Sequence, residues 1–335
     1  MAPTIIATAP GRCGIIGNPT DMYGGCVISC TTVERAECIL TLGGTGIVVS
    51  NDSEAAILRT RCDLELHGDK IDIARAALAY FEIDPANVPM SIKLRTDVPM
   101  RAGLAGSTAL LATLVGAIRM YLGRSHSQYH LAETCRKVEA RVMNIVCGLQ
   151  DQHMTIFGGL NYMDFRGKEM LDQSDDEPLA TVEPLSPHIP PPPILLAHTG
   201  VQHHSSQVHG SPRQRWLRGE TLVRESYAAI AELARRGKRA LIEGDWSRLG
   251  SLMDENHRLV AELGGSGPEN DRLIAAAKSA GAYGAKLAGA GGGGTIIALT
   301  EEPERVGAAL LAAGAECLLR PLPQPGLTVT RENGI

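Results

Sequence analysis

The chain has 335 residues, enough for two domains or for one large domain with a substantial buried core. Hydrophobic residues make up 44% and charged residues 21%, as in an ordinary soluble globular protein. The formal net charge of −5 argues against a nucleic-acid partner, because a phosphate backbone requires a basic protein face.

The first ten residues, MAPTIIATAP, contain no basic segment and no long apolar run, so they do not resemble a secretory signal. The most apolar segment, ALLATLVGAI at 109–118, is too short to cross a bilayer and is expected to form a buried helix. None of the eight cysteines forms a C-x-x-C pair or has zinc-ligand spacing. These features predict a cytoplasmic protein with reduced cysteines and no membrane partner.

The first half of the chain mixes short β-branched runs with segments of helical periodicity. Residues 9–25 and 147–153 are predicted to be a loop and a turn. We predict strands at 4–9, 25–33, 36–42, 90–98 and 159–165, with the third as the hairpin partner of the second. We predict helices at 71–81, within 99–123 after a glycine-containing loop, and at 127–145.

The second half begins after residues 172–193, an acidic and then proline-rich segment that we interpret as a surface connection between two domains. A strand at 194–200 and several helices between about 212 and 280 are predicted to follow. Two further strands flank a run of glycines, and a last helix and strand come after residue 303. Runs of strands and runs of helices interleave only partly, which is typical of an α+β fold.

The glycine run at 289–294 reads GAGGGG, with five glycines in six positions. It formally satisfies G-x-G-x-x-G, but that dinucleotide fingerprint follows a strand and precedes a helix. Here a strand is predicted on each side. A tight turn between strands would need only one or two glycines. The run therefore favours a loop whose bare backbone closely approaches a ligand.

The segment PMRAGLAGSTALL, which begins at Pro99, places small residues at the start of a strong helix. The first amides of a helix have no internal partners, and the helix dipole favours an anion there. Gly103, Gly106 and Ser107 would let a phosphate group reach those amides. Ser107 could simply cap the helix, or it could offer its hydroxyl to a Mg²⁺ ion on the phosphates. No Walker sequence occurs in the chain.

The predicted loop at 9–25, APGRCGIIGNPTDMYGG, carries one cation, Arg12, and one anion, Asp21. It is either a surface turn or part of a small-molecule site. Together with the two glycine-bearing segments, it resembles the motifs of the GHMP kinases, the galactokinase, homoserine, mevalonate and phosphomevalonate kinase superfamily. The first motif has the sugar-kinase form P-G-R-x-x-x-x-G-x-x-x-D-x-x-G-G, and the second has the form P-x-x-x-G-L-x-x-S-x-A. The glycine run is the third, and all three occur in the family's order.

This resemblance implies a two-domain α+β GHMP kinase fold. The N-terminal domain would be α/β and similar to domain 2 of ribosomal protein S5, and the C-terminal domain would be a ferredoxin-like α+β domain. We predict these domains at 1–185 and 186–335. The resemblance also implies an ATP-dependent kinase with a small-molecule sugar substrate and with ATP and Mg²⁺ as cofactors. A homodimer is left open.

The same resemblance assigns roles to individual residues. Asp151 in CGLQDQ would be the catalytic base, and Arg12 would lie between its carboxylate and the γ-phosphate. Mg²⁺ would be held by Ser107 and by Glu139, unless Glu139 is only a solvated helix residue. The nucleotide would contact Pro99, Gly103, Leu104, Ala105, Gly106, Ser107, Thr108, Gly291 and Gly292. The sugar would contact Asp21, Tyr23, Gly24, Gly289 and Arg213.

The substrate is suggested by departures from the galactokinase pattern. Asn18-Pro19 stands where galactokinases have Glu-His, which argues against a galactose-like set of contacts. GIIGNPTDMYGG, GGLNYMDF and SSQVHGSPRQRWLRGE instead resemble plant-type glucuronokinases. That resemblance implies phosphorylation of the anomeric hydroxyl of a uronic acid such as glucuronate. The uronate carboxylate would need a cationic or amide partner, for which the candidates are Arg213, Arg215, His203 and His204, although each could be structural.

Two alternatives to a uronate kinase stay open at this point. One is another GHMP kinase of galactokinase, arabinokinase or mevalonate type. Mevalonate-type kinases usually carry Lys where Arg12 stands, which favours a sugar. The other alternative is a catalytically inactive relative that senses a sugar or a nucleotide. Retention of Arg12, Ser107, Glu139 and Asp151 argues against it, since a pure binder needs no base.

Overall fold

The computed structural model of the chain describes residues 3–125, 127–169, 177–200, 212–289 and 294–332. The described strands form two sheets, one of eight strands and one of four. The order of the larger sheet is β12-β1-β2-β5-β3-β4, with β6 paired to β2 and β7 to β6. Its strands are β1 (Thr4–Ile16), β2 (Cys26–Leu42), β3 (Ile47–Ser50), β4 (Ala55–Leu58), β5 (Met90–Thr96), β6 (Leu160–Asp164), β7 (Thr181–Pro184) and β12 (Thr328–Glu332).

The two longest strands, β1 and β2, are longer than the sequence predicts. β1 continues through Arg12 to Ile16, where we predicted a loop, and residues 9–22 are buried, so the surface-turn alternative is wrong. β2 runs unbroken through the polar pair Glu34 and Arg35, where we predicted a hairpin. Both segments stay extended because they pair with each other along their length, with register shifts after Pro10 and after Gly14.

The helices of the first half pack on this sheet. They are α1 (Asp72–Tyr80), α2 (Gly106–Tyr121), α3 (Gln128–Lys137) and α4 (Gln150–Phe157), with a π-helical turn at Val138–Val142 after α3. The helix α2 is buried from Thr108 to Arg119 because it lies between β1, β2 and the other helices. The turn predicted at 147–153 is wrong in part, since its residues from Gln150 onward form the first turn of α4.

The four-stranded sheet is antiparallel with the order β11-β8-β10-β9, formed by β8 (Ile194–His198), β9 (Gly284–Leu287), β10 (Thr295–Leu299) and β11 (Cys317–Leu319). Its helices are α5 (Thr221–Glu243), α6 (Trp246–Glu262), α7 (Pro268–Ser279) and α8 (Pro303–Ala312). The succession of one strand, several helices, two strands, one helix and one strand is ferredoxin-like, with additional helices in its first crossover. Among the described helices, none combines the length and the apolarity that a membrane span requires.

Two segments join the halves in ways that the sequence does not indicate. Residues 181–184, inside the predicted surface connection, form β7 and extend the larger sheet through β6. The last strand, β12, returns from the second half of the chain and pairs with β1. The domain division between residues 185 and 186 stays a prediction.

Candidate active site

The side chain of Arg12 is the centre of the site. It leaves β1 at the first register shift and is 4% exposed. Its Nε and Nη2 donate to Oδ1 of Asp151 at 2.8 and 2.6 Å. Asp151 is in the first turn of α4, and 26% of its side chain is exposed. A buried guanidinium therefore holds a carboxylate that still reaches solvent.

Arg12 also connects the three glycine-bearing motifs through their backbones. Its Nη1 donates to the carbonyl of Gly103 at 2.5 Å and, at 3.5 Å, to that of Ala288. The amide of Arg12 donates to Leu104 O at 3.0 Å, and the amide of Gly14 donates to Ala288 O at 2.9 Å. The three motifs, far apart in sequence, thus meet around one side chain.

The start of α2 has the geometry of an anion site. Its N-cap is Ala105, which has a left-handed backbone with φ of 62° and makes no side-chain capping bond. The alternative that Ser107 caps the helix is therefore wrong. The space at Gly106 is tight, because a Cβ there would lie 3.2 Å from Pro99 O and 3.0 Å from the sulfur of Met100. The first amides of α2 are left for a ligand, as the sequence suggests.

Glu139 projects from the π-helical turn into the interior beside this helix start. It is 4% exposed, so the alternative of a solvated helix residue is wrong. Its Oε1 accepts from Thr108 Oγ1 at 2.7 Å, and its Oε2 accepts from Gln152 Nε2. Burial is the main reason that the pKa of Glu139 is raised to about 7; the nearby charge of Asp151 acts in the same direction, whereas the hydrogen bonds from Thr108 and Gln152 oppose the shift.

The residues around Glu139 fit a magnesium ion. The carboxylate of Glu139 and the hydroxyls of Ser107 and Thr108 offer oxygen atoms, which are the ligands that Mg²⁺ prefers. The amide oxygen of Gln152 is buried and has no hydrogen-bond partner, which leaves a polar atom for a ligand or a bound water. Within the described ranges, no three His, Cys, Asp or Glu side chains could hold a metal ion by themselves.

Asp21 lies in the interior at the beginning of α4. Its Oδ2 accepts from the amides of Leu149 and Gln150 at 2.8 and 3.0 Å, which stabilises the N-terminus of the helix that carries Asp151. Asp21 is 1% exposed, and burial raises the pKa of its carboxyl. The carboxylate can come this close because residue 148 is glycine, whose Cβ would lie 2.2 Å from Oδ2.

The other predicted sugar contacts lie in different local surroundings. Tyr23 stacks on Tyr227 at 4.3 Å between ring centroids and meets Trp216 at 5.2 Å. Arg213 lines a cavity of about 230 Å³ beside Met22. Gly24 has a left-handed backbone next to Glu169, and Gly289 packs against Gly103.

Of the candidate partners for a uronate carboxylate, Arg215 is already paired with Glu220 at 2.6 Å, within the same short segment. Gly291, Gly292, His203 and His204 lie outside the described residues.

Several site residues were not identified from the sequence. Gln152 positions Glu139, and a buried group of Asn18, Asn256 and Lys286 joins the first motif to the third. Gln152 is next to Asp151, so its place on the same helix turn could have suggested it. Asn256 and Lys286 carry no local signal, since each is a single polar residue in an otherwise ordinary helix or strand.

Two family models match the chain. The model described as GHMP kinases N terminal domain covers residues 72–159, and the model described as GHMP kinases C terminal covers residues 238–317. The chain therefore belongs to the GHMP kinase family, as its motifs suggest, and its class is that of the ATP-using phosphotransferases. The predicted α+β fold is confirmed.

Known relatives of similar identity differ in their named substrates. The chain is 27% identical to the mevalonate kinase of Pyrococcus horikoshii, over 98% of both proteins. It is 28% identical to probable glucuronokinase 2 of Arabidopsis thaliana, over 88% of this chain and 84% of that protein. It is 26% identical to the D-glycero-alpha-D-manno-heptose 7-phosphate kinase of Campylobacter jejuni, over 88% of both. Overall identity therefore does not single out a substrate.

Solved structures agree on the fold. The Lactococcus lactis galactokinase complexed with galactose matches with a TM-score of 0.77 at 17% identity, over 97% of this chain and 95% of that one. The L. major mevalonate kinase in complex with R-mevalonate matches with a TM-score of 0.72 at 18% identity, over 95% of both chains. At these identities the likeness shows the fold alone.

Proposed function

We propose that this kinase transfers the γ-phosphoryl group of ATP to the anomeric hydroxyl of a uronic acid such as glucuronate. The observation that carries the phosphoryl-transfer site is the pair formed by Arg12 and Asp151 beside the open start of α2. The likeness to a glucuronokinase and the glucuronokinase-like motifs support the uronate. Arg12 itself favours a sugar over mevalonate.

Asp151 acts as the base that accepts the proton of the sugar hydroxyl. Both bonds from Arg12 end on Oδ1, so Oδ2 of the same carboxylate is free of that ion pair and can face the substrate. Arg12 keeps the carboxylate in position and offsets negative charge that develops on the transferred group. Asp21 orients this base indirectly, because its carboxylate holds the amides at the start of α4.

The phosphates of ATP bind at the start of α2, where the amides of residues 106–108 and the helix dipole favour an anion. Glu139, with Ser107 and Thr108, would hold Mg²⁺, which would neutralise charge on the phosphates. Thr108 contributes by fixing Oε1 of Glu139, and Gln152 by fixing Oε2. Gly291 and Gly292 are proposed to contact the nucleotide. We also propose that the enzyme acts in the cytoplasm.

A substrate panel tests the proposal. The purified protein is given ATP and Mg²⁺ with glucuronate, galacturonate, galactose, arabinose, mevalonate or heptose 7-phosphate, and ADP release is measured. We expect the highest kcat/KM with a uronate and a ³¹P signal from an anomeric phosphate. Preference for a neutral sugar or for mevalonate would overturn the uronate assignment. No turnover with any compound would favour a sensor.

The control is Asp151→Asn, which keeps the size of the side chain and removes the base. Turnover should fall by about 100-fold or more, because a positioned base contributes about that much, while ADP binding persists. A variant that turns over at the wild-type rate would show that another group accepts the proton.

A further inference from the structure

Lys286 is a buried lysine that the proposed mechanism does not use. It is on β9 and is 1% exposed. Its Nζ donates to Asn18 Oδ1 at 2.7 Å, to Leu287 O at 2.5 Å and, at 3.5 Å, to Gly14 O. Three acceptors match the three donors of an ammonium group. Burial disfavours the charged form of Lys286 and lowers its pKa to about 7.

Lys286 fixes the orientation of the Asn18 side chain. An ammonium group can only donate, so the atom of Asn18 that faces it must be Oδ1. The other atom, Nδ2, then donates to the carbonyl of Gly289 at 2.6 Å. Asn18 is 1% exposed, so both bonds are protected from water. Asn18 therefore ties the first motif to the first residue of the third.

Asn256 holds the same turn from the helical layer of the smaller sheet. It is on α6 and is fully buried. Its Oδ1 accepts from the amide of Gly17 at 2.8 Å, and its Nδ2 donates to Asn18 O at 3.2 Å. The backbone and the side chain of Asn18 are thus both fixed by residues far away in the sequence.

Gly289 carries this constraint to the phosphate loop. A Cβ at Gly289 would lie 3.0 Å from the carbonyl oxygen of Gly103 and 3.1 Å from its Cα, so the two backbones are in direct contact. The same carbonyl of Gly103 accepts from Arg12 Nη1. A shift of Gly289 would therefore displace Gly103, and this would change the position of the carbonyl that Arg12 binds.

We propose that Lys286 and Asn18 are positioning residues. They hold the beginning of the third motif, at Gly289, against the phosphate loop, and so set the distance between two walls of the nucleotide site. The proposed mechanism places neither residue at the reacting atoms, and the Asn18 side chain is bonded to Lys286 and to the carbonyl of Gly289. This goes beyond the proposed function and rests on it only for the kinetic part of the test.

The sharpest test is Asn18→Asp. The carboxylate keeps, and strengthens, the contact with the ammonium of Lys286. It cannot donate to Gly289 O, however, so a carboxylate oxygen would face that carbonyl oxygen and repel it. We expect the fold to be retained and kcat/KM for ATP to fall by about tenfold to 100-fold, as for a misplaced reaction geometry. KM for the sugar should change little.

Lys286→Met gives an independent test and Lys93→Met, on the exposed face of β5, is its matched control. MgADP affinity is measured by calorimetry, and hydrogen exchange is followed in the peptide that covers 99–108. We expect weaker MgADP binding and faster exchange in Asn18→Asp and Lys286→Met, with no change in Lys93→Met. These two readouts need no sugar, so they stand even if the substrate proposal fails. A folded Asn18→Asp protein with wild-type ATP kinetics and exchange would overturn the inference.

Discussion

At the scale of single residues, Arg12 has more contacts within the site than its place in a motif suggests. It binds one carboxylate and two backbone carbonyls, which belong to Asp151, Gly103 and Ala288. A flexible lysine would satisfy fewer of these partners, because only a guanidinium presents several donors in a fixed plane. The residue therefore has an organising role as well as an electrostatic one.

We expect Arg12→Ala to lower kcat by about 100-fold or more, because the transition state loses a preorganised cation and the Asp151 carboxylate loses its partner. Steady-state kinetics with varied ATP and varied sugar measure the effect. If KM for ATP rose while kcat stayed unchanged, Arg12 would be a binding residue and not one that stabilises the transition state.

His153 makes stability depend on pH. Its Nδ1 is 2.7 Å from Leu149 O, and the ring packs edge-on against Phe165. Burial is the main reason that the pKa of His153 is lowered to about 4; the hydrogen bond to Leu149 and the charge of Glu133 oppose this shift, and the cations of Lys168 and Arg136 favour it. The neutral form is thus preferred in the folded state, so the associated stability is complete above the ordinary pKa of 6.5 and is lost as the pH falls towards 4.

We therefore expect the unfolding free energy to fall by about 2 kcal/mol from pH 8 to pH 5 because His153 becomes protonated in the unfolded state. Chemical denaturation at the two pH values measures this loss. In His153→Gln, which keeps a donor but does not titrate, the loss should be smaller by about that amount. Equal losses in the two proteins would contradict the prediction.

At the scale of elements, the start of α4 shows how one helix is placed for chemistry. Its first amides are held by Asp21, a residue from the first motif, and not by a capping residue of its own. The approach requires a glycine at 148. Asp21, Gly148 and the start of α4 therefore depend on one another and form a single structural unit.

Gly148→Ala should disturb this unit, because its Cβ would lie 2.2 Å from Oδ2 of Asp21. We expect kcat to fall by about tenfold to 100-fold as Asp151 shifts, with a loss of about 1–3 kcal/mol in stability. Gly267→Ala is the control, since its Cβ would meet only Glu269 Oε2 at 3.9 Å. Equal activity of the two variants would mean that α4 does not depend on Asp21.

The predictable elements are those with a clear internal period. The strand at 90–98 and the helix at 71–81 are confirmed as β5 and α1. Alternate residues of β5 are buried, which gives its period of two, whereas α1 is buried on all sides from Asp72 to Leu78. The lengths of β1 and β2 were not predictable. Their glycines and polar residues resemble a loop and a turn, and only pairing with β5, β6 and each other keeps them extended.

At the scale of the whole molecule, the chain closes on itself. After the last strand of the smaller sheet it returns, and β12 pairs with β1 at the edge of the larger sheet. Leu327 and Val329 then pack on α2 at Gly116, where a Cβ would lie 2.9 Å from either side chain. A glycine inside a helix costs about 1 kcal/mol relative to alanine, and here it makes room for the returning strand.

We expect Leu327→Ala to lower the unfolding free energy by about 2 kcal/mol, because it removes part of the apolar contact with the main core. Leu322→Ala is the control. That side chain is 45% exposed, so a change within about 0.5 kcal/mol is expected. Similar values for both variants would show that the returning strand adds little to the stability of the larger sheet.

The sequence alone determined the family, the α+β fold and the order of the motifs, because spaced glycines and charged residues of a motif are visible locally. The tertiary structure decided what those residues touch. It showed Glu139 to be buried, joined Asp21 to α4, and turned Asn18 towards Lys286 and Gly289. The contacts of Asp21 and Asn18 join residues more than 100 positions apart. The local periodicity of a sequence does not show which distant polar groups will be buried next to each other.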